Sequence, residues 1–111
     1  MGRATKPRNI HKWQEWSNAL SNSTNLQQLN LANGQQLTAV AGLASTNLHT
    51  LNLTNCNLLT DVTALSNCIN LHTLNFNNCE ELSEVTAFSS CTHLHTLHFT
   101  SCKQLTDVTA L

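Results

Sequence analysis

Three histidines recur at a constant interval, His49, His72 and His95, with Gln27 heading the same series and His98 close behind its last member. Imidazole is a common metal ligand, so rings brought side by side could share a metal ion. Five cysteines fall at two other recurring positions, Cys56, Cys79 and Cys102 at one and Cys68 and Cys91 at the other. Cysteines in such a pattern could form bridges, hold zinc or simply pack. Bridges are disfavoured, because five is an odd count and thiols pointing the same way from strands about 4.8 Å apart keep their Cβ atoms too far apart. Zinc at cysteine is disfavoured too, since at least ten residues separate any two cysteines and no C-x₂₋₄-C pair exists. The expectation is five reduced, buried thiols that pack as small hydrophobes and donate weakly. For the histidines, the plainer reading is adopted: a copied unit copies its histidine, and neutral rings stack along a sheet edge. Protonating that ladder would place like charges on adjacent strands, at a cost in stability. No metal and no cofactor are expected.

Catalytic chemistry finds no foothold. No Ser/His/Asp arrangement or paired carboxylates stand at a plausible site, and three glycines are too few for a phosphate-cradling loop. The chain is not expected to be an enzyme. Charged residues make up only 10% of its 111 residues, against roughly 25% in ordinary globular domains. The polar surface must therefore be built from Asn, Thr, Ser, Gln and His. The net charge of −1 hides an asymmetry. Arg3, Lys6, Arg8 and Lys12 give the first twelve residues +4, and Lys103 against six acids leaves the remainder at −5. Those basic residues, with Pro7 among them, read as a solvated tail and not as a nucleic-acid contact.

No run approaches the roughly 18 apolar residues of a membrane span. The first residues lack the apolar core of a secretory signal, and Lys6 stands where a myristoylation signal has Ser or Thr. A cytoplasmic protein is expected. The sequons at Asn22 and Asn52 would matter only in a secreted chain.

The elements that position these residues come from internal repetition. "LHTLNLTNCNLLTDVTALSNCIN" at 48–70 returns as "LHTLNFNNCEELSEVTAFSSCTH" at 71–93, and again as "LHTLHFTSCKQLTDVTAL" from 94. An earlier copy starts at Leu26, so the units begin at 26, 48, 71 and 94, the last incomplete. In each unit the step Leu51-x-Leu53, Leu74-x-Phe76 or Leu97-x-Phe99 has the period of two of a strand. A second apolar group follows a turn at a spacing of three: Leu59, Val62, Leu65; Leu82, Val85, Phe88; Leu105, Val108, Leu111. That spacing suits a short 3₁₀ stretch. One unit cannot bury both groups, so each must be covered by the next, with successive strands in a parallel sheet.

"LHTLNLTNCNL" resembles the leucine-rich repeat signature L-x-x-L-x-L-x-x-N/C-x-L, which recurs in phase across residues 26–111. The short unit, with "LTDVTAL" on its back, is most similar to the internalin-like and protist-type repeats of that family. The resemblance implies an α/β fold: a right-handed solenoid with a curved parallel β-sheet on its concave face and short 3₁₀ or helical segments on its convex face. It implies protein–protein recognition on the concave face and brings no catalytic residues. It also implies that Cys56, Cys79 and Cys102, at the N/C position, donate to backbone carbonyls and link coil to coil.

Alternation puts the residues between the core leucines on the sheet's outer face. One column reads Gln28, Thr50, Thr73, Thr96; the next Asn30, Asn52, Asn75, His98; a third Ala32, Thr54, Asn77, Thr100. These form an uncharged patch of donors and acceptors, the expected site for a protein partner of unknown identity. In the competing reading the Asn and Thr side chains merely satisfy one another in ladders along the solenoid. Residues 1–25 are expected to form a basic tail and an amphipathic helical cap with a partial repeat, in which Trp13, Trp16 and Leu20 cover the open end of the stack. The other end has no such lid, which leaves an edge open to self-association. Two alternatives remain for the function: the substrate-recognition arm of an F-box-type ubiquitin-ligase adaptor, although no F-box motif is present, and a structural segment of a longer surface array.

Overall fold

The structure, a computed structural model, describes residues 3–4, 27–40, 43 and 47–105. Five short strands lie in sequence order in one parallel sheet: β1 (Arg3–Ala4), β2 (Gln28–Asn30), β3 (Thr50–Asn52), β4 (Thr73–Asn75) and β5 (Thr96–His98). The register follows the repeat. Thr50 pairs with Thr73 and then Thr96, and Leu51 pairs with Leu74 and then Leu97. Two 3₁₀ segments, η1 (Thr63–Asn67) and η2 (Thr86–Ser90), occupy the other side of the coils. They follow the apolar residues Leu59, Val62 and Leu65, and likewise Leu82, Val85 and Phe88, which recur every third residue. Each 3₁₀ segment contains only the last of its trio, Leu65 or Phe88, with Val62 and Val85 at the N-caps and Leu59 and Leu82 in the approach, and all six side chains are at most 2% exposed.

The core runs between these two sides. Leu51, Leu53, Cys56, Leu59, Leu71, Leu74, Phe76, Cys79 and Leu82 are fully buried, each leucine worth about 1.5–3 kcal/mol of burial. Phe76 stacks on Phe88 within its own coil at 5.6 Å and on Phe99 of the next at 6.0 Å. In the coil from Leu94 the protection falls away. Phe99 is 38% exposed where its equivalent Phe76 is 0%, and Leu94, Leu97, Cys102 and Leu105 are only partly buried against the cluster.

Arg3 and Ala4 pair with Gln28 and Leu29 as a parallel strand. The physical reason is the free side of β2, whose backbone donors and acceptors recruit an extended segment. The remainder of the tail, the cap residues Trp13, Trp16 and Leu20, and Val108 and Leu111 lie outside the described residues.

Strands β2 to β5 each leave through a turn at a residue of positive φ: Asn33 (66°), Asn55 (63°), Asn78 (62°) and Ser101 (60°). Asparagine tolerates this left-handed region because its short carboxamide bonds locally. Here the carboxamides also join the coils, Asn55 Nδ2 donating to Asn33 Oδ1 at 2.8 Å and Asn78 Nδ2 to Asn55 Oδ1 at 2.9 Å. Asn55→Ala loses both bonds and sets a Cβ at positive φ without compensation. It is expected to cost about 1–3 kcal/mol in urea unfolding. Asn55→Gly should recover the backbone part of that loss; equal loss in both variants would mean that the left-handed turn carries none of the cost.

Candidate functional site

The outer columns lie as the alternation requires. In β3 and β4 the central leucines are buried and their neighbours Thr50, Asn52, Thr73 and Asn75 are half-buried on the opposite face. Gln28 and Asn30 at one end, and Thr96, His98 and Thr100 at the other, are exposed; Thr54 and Asn77 are half-buried between them. The strand register brings Gln28, Thr50, Thr73 and Thr96 into one row and Asn30, Asn52, Asn75 and His98 into the next. Eight of the eleven expected partner-binding residues therefore share one sheet face, with Thr54, Asn77 and Thr100 just past the strand ends, and none of the eleven is charged at neutral pH when histidine is neutral.

The asparagines of that surface do more than face outward. Asn30 Oδ1 accepts from Ala32 N at 2.9 Å, Asn52 Oδ1 from Thr54 N at 3.0 Å and Thr54 Oγ1 at 2.7 Å, and Asn75 Oδ1 from Asn77 N at 3.0 Å. Each carboxamide oxygen thus folds over its own strand's exit, two residues on, in the manner of an Asx turn. Asn77 Oδ1 reaches the next coil instead, accepting from Thr100 N at 2.7 Å and Thr100 Oγ1 at 3.0 Å.

Side-chain ladders between coils run mainly through columns not singled out from the sequence. Besides the turn asparagines, Asn70 Nδ2 donates to Asn47 Oδ1 at 2.7 Å. Asn57 Nδ2 meets Glu80 Oε1 at 3.4 Å, and Lys103 Nζ meets Glu80 Oε2 at 3.3 Å. The signal that could have found the turn column was the Asn preceding Gly34, Cys56 and Cys79, a residue suited to a left-handed turn. The ion pair is exposed and of small energetic weight.

The cysteines are all free. Cys56 Sγ donates to Leu31 O at 3.3 Å, Cys79 Sγ to Leu53 O at 3.1 Å and Cys102 Sγ to Phe76 O at 3.2 Å. Every one of these acceptors belongs to the preceding coil. On the other side, Cys68 Sγ reaches Leu43 O at 3.5 Å and Cys91 Sγ reaches Leu65 O at 3.5 Å. Burial pushes the Cys79 thiol up to about 12, helped by the neighbouring Cys56. Burial also raises Cys91, with Cys68 adding to it, and raises Cys102. Such thiols are poor nucleophiles at neutral pH. Asp61 is held below its usual value by the Thr63 hydroxyl and backbone N–H, which its Oδ1 accepts at 2.7 and 3.0 Å. That carboxylate shapes the entry to η1 and sits apart from the sheet face.

The histidine column forms as the repeat predicts. His49 and His72 meet edge-on with ring centroids 5.2 Å apart, and His72 and His95 stack at 5.6 Å. His93 joins them, 6.2 Å from His72. As the rings stand, no group of three or more His, Cys, Asp or Glu among the described residues is set to hold a metal ion. Among the same residues, no helix is long and apolar enough to cross a membrane.

A family model described as Leucine Rich repeats (2 copies) matches residues 24–67 and 69–111. Among solved structures the chain is similar to the crystal structure of an internalin (InlF) from Listeria monocytogenes strain 4b F2365. The two share 26% identity at a TM-score of 0.50 over 84% of this chain and 33% of that one. The chain thus spans about a third of that internalin's length. Among curated proteins none matches the chain.

The thiol geometry fixes a pH dependence. A thiol whose value is raised on folding contributes stability that is fully present below its unfolded value, 9.0, and is lost as pH climbs toward the folded one, about 12 for Cys79. The urea midpoint should therefore fall as pH rises above 9, and Cys79→Ala should flatten part of that fall. Ellman's reagent should count five thiols in the unfolded, unreduced protein and react slowly with the folded one. A count below five would show bridges, and an unchanged alkaline slope in C79A would refute the burial account.

Proposed function

The chain belongs to the leucine-rich repeat family, and from that premise we propose that it is a noncatalytic recognition module whose outer sheet face binds a protein partner. The observation that carries this reading is the row of Gln28, Thr50, Thr73 and Thr96 beside Asn30, Asn52, Asn75 and His98, held in register across four strands. A strip without fixed charge pays little desolvation penalty, and it offers hydrogen-bond groups at a spacing of about 4.8 Å. Proteins of this repeat family commonly act as interaction modules, which agrees with the strip's chemistry.

The asparagine oxygens hold the strand exits, so specificity is assigned first to the threonine column. Neither Thr50 nor Thr73 has a side chain tied into the turn contacts that hold Asn52 and Asn75. The partner's identity is left to chemistry: it must present uncharged polar groups to this strip and cover the half-buried centre of the sheet.

Self-association belongs to the same proposal. Phe99, just past β5, presents apolar surface beside an unpaired strand edge among the described residues, a recognised route to edge pairing.

Two measurements follow. Thr50→Arg with Thr73→Arg adds two charges to the centre of the strip. Proteins cross-linked to the wild-type chain should be lost from this variant, with its circular dichroism spectrum unchanged. They should be retained by Ser66→Arg on η1. Equal capture by all three chains would exclude the outer sheet face as the site. Sedimentation should show concentration-dependent association that Phe99→Asn weakens; a monomer at all concentrations would exclude the edge contact.

A further inference from the structure

Gly34 breaks the repeat at the turn. Later units carry Cys56, Cys79 and Cys102 at its position. Gly34 is not at positive φ, so the backbone there does not call for glycine. Its chemical consequence is the pair Asn33-Gly34, in which the residue after an asparagine has no side chain to shield its backbone nitrogen. The next two turns read Asn55-Cys56 and Asn78-Cys79 instead. We propose that Asn33 is a self-modification site, converting to aspartate and isoaspartate in the folded chain while Asn55 and Asn78 stay intact.

The reaction needs only water, and no atom is oxidised or reduced. The Gly34 nitrogen gives its proton to solvent and bonds to Asn33 Cγ. The Cγ–Nδ2 bond breaks, and the carboxamide nitrogen takes up a proton and leaves as ammonia. Water then opens the five-membered imide at either carbonyl carbon. Opening at Cγ restores the main chain and leaves aspartate. Opening at the backbone carbonyl leaves Gly34 attached through Cγ, as isoaspartate.

The three turns form an internal comparison. Asn33 is exposed, whereas Asn55 and Asn78 are half-buried. Asn33 Oδ1 accepts from Asn55 Nδ2 at 2.8 Å, and a donor there stabilises the charge that this oxygen gathers as nitrogen adds to Cγ. Asn33 Nδ2 makes no hydrogen bond among the described residues, while Asn55 Nδ2 and Asn78 Nδ2 each hold the preceding coil. Ammonia can therefore leave Asn33 without breaking a bond between described coils. Attack requires the Gly34 N–H to release Leu31 O, which it meets at 3.2 Å, a local opening of one turn. Cys56 and Cys79 make the same backbone bond to Leu53 O and Phe76 O, but their thiols also pin them to the coil before. Gly34 has no such pin. Of the products, aspartate keeps an oxygen for Asn55 Nδ2 and leaves the ladder closed. Isoaspartate adds one main-chain carbon just after Asn33 N, which donates to Thr54 O at 2.7 Å, and so loosens the first described turn against the second.

The test is storage of the folded, reduced full chain in mildly alkaline buffer made with heavy-oxygen water, followed by proteolysis and mass spectrometry. The peptide holding Asn33 should lose nitrogen and take up solvent oxygen about tenfold or more faster than those holding Asn55 and Asn78. Both aspartate and isoaspartate should be found in it. Gly34→Cys gives this turn the residue of the later coils and should slow conversion to the Asn55 rate, with the dichroism spectrum unchanged. Gly34→Ala is an independent check should the cysteine variant fail to fold. Conversion at Asn33 no faster than at Asn55, or undiminished in the Gly34 variants, overturns the site. So does conversion that occurs only in guanidinium, which would place the reaction in the unfolded chain and not in the turn.

Discussion

No coil of this protein can cover its own apolar residues, and that constraint governs everything else. A strand of three residues with one inward leucine, such as Thr50–Asn52, has no independent stability. Its Leu51 is sealed only because Leu29 and Leu74 lie in register on either side. The same holds on the opposite side, where Leu65 and Phe88 of the two 3₁₀ segments pack in series. Stability is therefore a sum of contacts between neighbours, and a coil with one neighbour is the weakest. The contrast between Phe76, sealed, and Phe99, 38% exposed, is that rule expressed in one residue type.

Covering alone would let the coils slide, and polar groups prevent it. A slip by one residue would carry Leu51 and Leu74 to the outer face. Thiols of Cys56, Cys79 and Cys102 each find a carbonyl one coil back, at 3.1–3.3 Å. These are weak donors individually, and each adds an inter-coil donor to a carbonyl that already accepts from a turn N–H of its own coil, Leu31 O from Gly34, Leu53 O from Cys56 and Phe76 O from Cys79. The asparagines at positive φ do the same work at the surface. So the inner pins are small and nearly apolar, and the outer ones are strongly polar, each matched to the dielectric around it.

The solenoid was legible from the sequence because its cause is periodic. Leu51 and Leu53 announce a strand, Leu59, Val62 and Leu65 announce a three-residue turn, and repetition at 22–23 residues multiplies both signals. The outer columns followed from the same alternation. What could not be read was the division of labour within them. Asn52 and Thr50 look equivalent as outward polar residues, but only the structure shows Asn52 bent over its own strand exit. The turn asparagines were missed for a related reason: hydropathy periodicity carries no information about φ, and Asn55 is merely polar in that pattern. His93 was passed over because it departs from the repeat and so belongs to no column. The pairing of Arg3–Ala4 with β2 escaped notice because two residues offer no periodicity at all.

That division of labour separates what the fold needs from what a binding function can vary. Positions whose side chains bond the backbone, Asn30, Asn52 and Asn75, hold each strand's exit, and replacing them loosens the frame. Departures from the repeat occur beside them: Gln28 where later coils have threonine, His98 where earlier ones have asparagine, His93 where earlier ones have asparagine. One of these departures, His98, lies in the coil from Leu94, and His93 immediately precedes that coil; its outer residues Thr96, His98 and Thr100 are exposed. His98 makes the cost of variation visible, since an imidazole at that position replaces the carboxamide that caps β3 and β4. A coil with fewer covering contacts is less constrained by its neighbours, so side-chain chemistry can change there without breaking the register of the others. Exposure and weaker packing coincide in that coil, where Phe99 is 38% exposed and Leu94 and Leu97 are only partly buried.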